Sequence, residues 1–410
     1  MRVLVIGSGG REHALCWKLA QSERITALYA APGNPGIAQV ANCLETSDYL
    51  AAAESIGADL TVVGPEAPLA AGIVDQFRAK NRLIVGPIAV AARLESSKVF
   101  AKEFMTRAGI PTARFFSAHA PQQARDALHE FDFPVVLKAD GLAAGKGVII
   151  ANTLAEAESA ITQLMTPRSQ LVLEEFLTGE EVSFIVLSDG ENVLPFEPTQ
   201  DHKTVHDGDT GPNTGGMGAY CDGRILDDSA KAQIMTQVIR RAIEQMRAEG
   251  CPFAGFLYAG LMMTARGPRV LEFNARLGDP ETQVLMHRMD SDFLEPLLAS
   301  AHGELKGAQV QWKADPSACV VLAAAGYPGS VRTGHAITGL DRVAGATVFH
   351  AGTKMINNVL TTSGGRVLGV TSRGPTLQAA IGNTYAAVAG IHFDGMHYRK
   401  DIGQKGLKRW

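Results

Sequence analysis

Arg2-Val-Leu-Val-Ile6, then Gly7-Ser-Gly-Gly10, then Arg11-Glu-His13, is the stretch whose reading decides the fold of this 410-residue chain. The first run reads as a buried strand and the glycines as the turn that closes it. Glu12 to Gln21 then has helical periodicity. Leu60-Thr-Val-Val-Gly64 and Leu83-Ile-Val-Gly-Pro87 repeat the strand-then-glycine pattern. Strands alternating with helices imply an open parallel α/β sheet, with ligand-holding loops at the strand C-terminal ends. Amides at a helix N-terminus suit phosphate. A dinucleotide fingerprint would read G-x-G-x-x-G; Glu12 stands at its last position, so that fingerprint fails. Arg11 and the amides of Gly9 and Gly10 still suit a single phosphate, although a strand–turn–helix without ligand reads the same way.

At this length two to four domains are expected. The net charge of −4 gives no bias toward nucleic acid or an anionic membrane. The 43 glycines cluster at turns, and no apolar run approaches the roughly 20 residues of a membrane helix. The N-terminus enters a strand at once, leaving no room for a signal peptide. Cys16, Cys43, Cys221, Cys251 and Cys319 are scattered and form no CxxC, which fits reduced cytosolic thiols.

A helix from Ser97 to Ala108, closed by Gly109 and followed by Pro111, marks a domain junction. Two strand pairs are expected next, Pro134–Lys138 with Gly147–Ile150 and Leu171–Glu174 with Val182–Val186, forming a small α+β lid. Polar, Gly-rich Gln200 to Tyr220 reads as a long loop, a length usually functional or disordered. A long helix, Asp227 to Ala248, and strands Gly255–Met263 and Arg269–Asn274 follow. From about Ala314 the chain becomes β-rich. The expected domains are 1–97 (α/β), 98–313 (with the lid at about 112–187) and 314–410 (β-rich).

Val270-Leu-Glu-Phe-Asn-Ala-Arg-Leu-Gly-Asp-Pro-Glu-Thr-Gln283 carries the sharpest chemical signal. On a strand, Glu272, Asn274 and Arg276 share one face. A carboxylate beside an amide oxygen suits Mg²⁺, and a guanidinium suits phosphate or carboxylate. Together they fit phosphoryl transfer; an edge strand with solvated charges would read alike. Lys138-Ala-Asp-Gly-Leu-Ala-Ala-Gly-Lys146-Gly147 reads as a flap over phosphates. Lys138 ends an apolar strand and needs a partner if buried; a phosphate would serve. Phe176 and Leu177 offer a face to a nucleotide base, and Glu181 could accept from ribose hydroxyls. Asp201 and Asp209 could hold an ammonium group. His202 reads equally as a structural histidine, and His287 and Asp290 read as surface.

In this order the segments resemble the glycinamide ribonucleotide synthetase family of ATP-grasp ligases. The carrying residues are Val5–Ala14, Pro32–Gly36, Gly64–Leu69, Lys138–Gly147, Gln200–Lys203, Asp209–Tyr220, Leu271–Gln283 and Phe393–Gly403, which is nearly end-to-end coverage. The resemblance implies a multidomain α/β fold: an N-terminal open parallel sheet, a central ATP-grasp of two subdomains and a C-terminal β-rich domain. It implies ligation of glycine to 5-phosphoribosylamine by ATP through glycyl phosphate, an early step of purine synthesis in the cytoplasm. It also implies Mg²⁺ or Mn²⁺, no nucleic-acid or membrane partner, and a monomer or weak dimer. Carried over by residue, Lys98, Lys138 and Lys146 would contact the nucleotide, with Lys138, Lys146 and Arg276 catalytic. Glu174, Glu175, Phe176, Leu177 and Glu181 would form the adenosine site, and Glu272 and Asn274 would hold the metal. Gly9, Gly10, Arg11, Glu12, Asn34 and Glu66 would receive the phosphoribosylamine. Asp201, His202 and Lys203 would line the substrate site, and Asp209 and Arg276 would bind glycine. Three departures stand out. Ser96 replaces a usual Gly and Asp290 a usual Lys. Tyr258 to Met263 offers no acidic ligand, which leaves more of the metal shell to phosphates and water. A biotin carboxylase-like enzyme, a nicotinamide dehydrogenase and a non-catalytic nucleotide binder are the rival readings.

Overall fold

The computed structural model describes residues 1–142, 147–166 and 169–409. Its N-terminal sheet is wholly parallel and contains β1 (Arg2–Gly7), β2 (Ala27–Pro32), β3 (Asn42–Cys43), β4 (Leu60–Val63) and β5 (Ile84–Val85), in the order β3-β2-β1-β4-β5. Val3 to Ile6 are completely buried, as strands covered on both faces must be. The strand order reverses at β1, so Gly7–Gly10 sits at the topological switch point where such sheets take ligands.

A second, antiparallel sheet holds β6 (Phe115–Ala118), β7 (Val135–Ala139), β8 (Val148–Ala151) and β9 (Leu171–Glu175), in the order β6-β9-β7-β8. The pairing of β7 with β8 is as expected. The second expected pair is not formed: β9 lies between β6 and β7, and β10 (Glu180–Asp189) joins a different sheet. Packing explains the split. Leu171 and Leu173 bury against Leu137 and Ile161 in the small core, whereas Val182, Phe184 and Val186 bury in the main one.

The third sheet is built on β10, with β11 (Val193–Pro195), β12 (Thr199–Asp201), β15 (Gly218–Cys221), β16 (Ala254–Thr264), β17 (Gly267–Asn274), β18 (Ser317–Ala323), β19 (Thr347–His350) and β22 (Arg366–Arg373). Its order is β17-β16-β10-β12-β15-β18-β22-β19, with β11 on β10. The C-terminal strands thus continue the central sheet through the β15–β18 pair. Gln200 to Tyr220 is not structureless. It contains β12, the start of β15 and a hairpin of β13 (Thr204–His206) with β14 (Thr210–Asn213). A further hairpin pairs β20 (Thr353–Ile356) with β21 (Val359–Thr362). The long helix starts where expected because the Asp227 side chain accepts the Ala230 amide at 2.7 Å; it widens into a π turn at Met235–Ile239. Among the described residues no helix is long and apolar enough to cross a membrane.

Candidate active site

β17 is an edge strand, and its last residues open onto a cleft. Glu272 keeps 42% of its side chain accessible, yet Lys203, Lys138, Lys98 and Arg276 all act on it. Burial presses its carboxyl upward, but these cations outweigh burial and hold it below the usual glutamate range. Asn274 is 9% exposed, and its Oδ1 accepts from Arg276 Nη2 at 3.2 Å. A carboxylate held in its ionised form beside an amide oxygen fits a hard divalent cation. Among the described residues no group of three or more His, Cys, Asp or Glu is poised around one point. The protein side of such a metal shell would therefore be small, as Mg²⁺ sites completed by phosphate and water are.

Arg276 is not a free hand for an anion. It is ion-paired to Glu95 at 2.9 Å and Glu66 at 3.3 Å. Burial works against its charge, but these two carboxylates hold it firmly protonated. Glu66 is accordingly a bridge between Arg276 and Arg11, 3.9 Å away. Glu95, which the sequence reading passed over, is the more buried of the two partners.

Lys138 also needs no phosphate to offset its burial. It pairs with Glu174 at 2.9 Å and donates to Leu271 O at 3.0 Å. Glu174 is 2% exposed and is equally engaged by Lys102 at 2.9 Å, so two lysines share its carboxylate. Glu175 accepts the Arg114 amide at 2.8 Å, which ties β9 to the chain before β6. Of the expected adenosine set, Phe176 remains exposed, at 41%, and Leu177 half-buried. Lys98 Nζ donates to Gly141 O at 2.8 Å and faces Glu272. Lys146 lies outside the described residues.

The glycine turn after β1 is filled from within. Glu12, 2% exposed, accepts the Gly9 amide and Arg11 Nε, both at 2.6 Å. Its carboxylate occupies space that a Cβ on Gly7, Gly9 or Gly64 would contest. This is why a carboxylate stands where a dinucleotide site needs glycine, and it makes Glu12 and the Gly9 amide structural. Arg11 is 7% exposed and donates to Leu277 O at 3.2 Å, bracing the turn beyond β17. Asn34 is fully used: its amide donates to Ser8 O and His350 O, and its Oδ1 accepts from Gly36 and Ile37.

Lys203 pairs with Glu181 and lies 3.8 Å from Glu272. Burial favours its neutral form, but Glu181 and Asp201 overrule it and keep the ammonium charged. Burial, with Glu281, Glu181 and Glu272 nearby, outweighs Lys203 and holds the Asp201 carboxyl well above its usual range. Glu181 therefore serves Lys203 before any ribose. Asp209 is committed elsewhere, to Arg399 at 3.0 Å and Lys405 at 2.7 Å.

His202 is 1% exposed, with Nε2 accepting the Gly403 amide at 3.3 Å and a buried Nδ1 that has no hydrogen-bond partner among the described residues. His287 is not a surface residue but stacks on Trp17 at 5.5 Å. Asp290 is the surface residue expected, 3.6 Å from Lys313. Burial lowers His202, His287 and His350 to about 4 and, with His350 opposing, His13 to about 3. The unfolded chain takes up these protons near pH 6.5, about the value of a free histidine. The fold refuses them until about pH 3 to 4, so stability falls as pH drops below about 6.5. Urea midpoints should hold from pH 7.5 to about 6.5 and decline from there to pH 4.5; a flat profile throughout would mean the rings are protonated in the fold.

Three family profiles account for nearly the whole chain. The phosphoribosylglycinamide synthetase N domain matches residues 1–95, the ATP-grasp (A) domain residues 96–282 and the C domain residues 317–405. The phosphoribosylamine–glycine ligase of Xanthomonas axonopodis pv. citri is 49% identical over 100% of this chain and 99% of its own. That of Escherichia coli K12 is also 49% identical, with the same coverage. The crystal structure of phosphoribosylamine–glycine ligase from Thermotoga maritima superposes with a TM-score of 0.86 at 34% identity, covering 98% of this chain and 100% of that one. The biotin carboxylase domain of Hydrogenobacter thermophilus 2-oxoglutarate carboxylase, solved with MgADP, shares the fold at TM-score 0.72 and 19% identity, covering 96% and 91%. With sheet order, charge cluster and full-length relatives in agreement, the chain belongs to the phosphoribosylglycinamide synthetase family of ATP-grasp ligases.

Proposed function

We infer that the chain is an ATP-dependent ligase that joins glycine to 5-phosphoribosylamine, releasing glycinamide ribonucleotide, ADP and phosphate in cytoplasmic purine synthesis. The observation that carries this is the convergence on Glu272 of Lys98, Lys138, Lys203 and Arg276, with Arg276 reaching Glu66 beside the switch point of the N-terminal sheet. A polyanion and a ribosyl phosphate can thus meet in one cleft.

Glu272 and Asn274 would hold Mg²⁺ or Mn²⁺, which when bound supplies charge neutralisation for the triphosphate. Lys98, Lys138 and Lys203 add positive charge around the transferring group, and Lys146, outside the described residues, is assigned the same task. Adenine fits the open face of Phe176 and Leu177. Gly10, with Arg11 behind it, would seat the sugar phosphate at the helix N-terminus. A glycine carboxylate oxygen attacks the γ-phosphorus as ADP leaves, giving glycyl phosphate. The ribosylamine nitrogen then attacks the acyl carbon; phosphate departs with the C–O electron pair and the nitrogen sheds a proton. No side chain becomes covalently modified. Catalysis rests on positioning and electrostatics.

The test is ADP release with Mg-ATP while glycine and freshly generated phosphoribosylamine are each added or omitted. Release that needs both is expected. Release with another carboxylate or amine would overturn the substrate assignment while leaving ATP-grasp chemistry.

A further inference from the structure

Lys102 has no place in the scheme above, yet it is one of the most deeply buried charges in the chain. It projects from the helix Lys98–Arg107, with 3% of its side chain exposed. Its ammonium contacts Glu174 Oε2 at 2.9 Å and donates to Thr112 Oγ1 at 2.7 Å. Thr112 in turn donates to Val270 O at 2.6 Å. The other Glu174 oxygen meets Lys138, which donates to Leu271 O. The two arms of this network therefore grip consecutive carbonyls of β17, immediately before Glu272.

We propose that Lys102 is a positioning residue for the ligase reaction, fixing Glu174 so that Lys138 on the four-stranded sheet is held in register with the Glu272 strand. Two lysines share the Glu174 carboxylate, and Lys138 also acts on Glu272, so Glu174 is the joint between Lys102 and the cleft. The anion that the cations facing this cleft suit is the nucleotide's phosphate chain. Lys102, 3% exposed and bonded to Glu174 and Thr112, acts through Glu174. Without Lys102, the Glu174 carboxylate loses its second anchor and can swing, taking Lys138 off the phosphate path. The inference rests on the ATP-ligase reading.

Its test is made on the full-length enzyme. Mg-ADP binding by the wild type is measured first; failure there would strike the ligase reading and not this inference. Lys102→Met is then expected to weaken Mg-ADP binding and raise KM for ATP by about tenfold or more, with KM for glycine nearly unchanged. Lys102→Arg, which keeps the charge and can reach Glu174, should recover most of that loss. Thr112→Val, which frees one arm only, should show a smaller shift in the same direction and serves if Lys102→Met does not fold. Unchanged nucleotide affinity in folded Lys102→Met, or in Thr112→Val where Met does not fold, would overturn the proposal. So would equal loss of affinity for ATP and glycine with no rescue by arginine, the signature of general damage.

Discussion

Glu272→Ala will abolish ligation and leave the protein folded. The side chain is 42% accessible and its only ion pair among the described residues is with Lys203 at 3.8 Å, so its removal opens no core cavity. Four cations, however, are arranged around its charge. Deleting the carboxylate leaves them mutually repelling at the place where a divalent cation must bridge protein and phosphate. Turnover should fall about 10³-fold or more, the scale seen when a pre-organised electrostatic partner is lost. The circular dichroism spectrum should stay that of the folded protein, and the urea midpoint should fall only modestly, by the repulsion among those cations. Near-normal turnover at saturating Mg²⁺ would sink the metal assignment.

Arg276→Met will cost both stability and activity. The guanidinium neutralises Glu95, whose side chain is 7% exposed, and Glu66. Removing one partner of a buried ion pair strands the other, at about 3–5 kcal/mol. Burial already raises the Glu95 carboxyl despite Arg276, and losing Arg276 would push it higher still. A carboxyl raised in the fold binds protons that the unfolded chain has released, so its destabilising effect grows with pH. The deficit of Arg276→Met relative to wild type should therefore be larger at pH 8 than at pH 5. Turnover should drop as well, by about 10²-fold, because Arg276 also orients Asn274 Oδ1. A denaturation midpoint matching the wild type at pH 8 would show that Glu95 finds another partner.

Local pattern carried the sequence reading far. The apolar run of β1, its glycine turn and the shared face of Glu272 and Asn274 follow from side-chain periodicity, and the structure places them as expected. Nonlocal partnership was where it failed. Nothing in Leu171–Glu175 says that its neighbours are β6 and β7 instead of β10. Lys138 and Glu174 were each assigned to ligand because their mutual pairing spans 36 residues and is invisible to spacing. Lys102 sits on an amphipathic helix where a lone lysine ordinarily reads as solvated. Asn34 looked like a substrate ligand, but its carbonyl partner at His350 comes from the far end of the chain. In each case the residue type was informative about charge, and the partner was set by the fold.

The uninterrupted sheet from β17 to β19 has a consequence for biogenesis. The hydrogen-bonding edge of β15 is closed only by β18, which is made much later. Until then the nascent chain presents an open strand edge, the kind of surface that invites illegitimate partners. The same edge is a specific socket. A gene split between Asp315 and Ser317 yields two polypeptides whose native way to bury β15 and β18 is each other, so the halves should be complementing fragments and not autonomous modules.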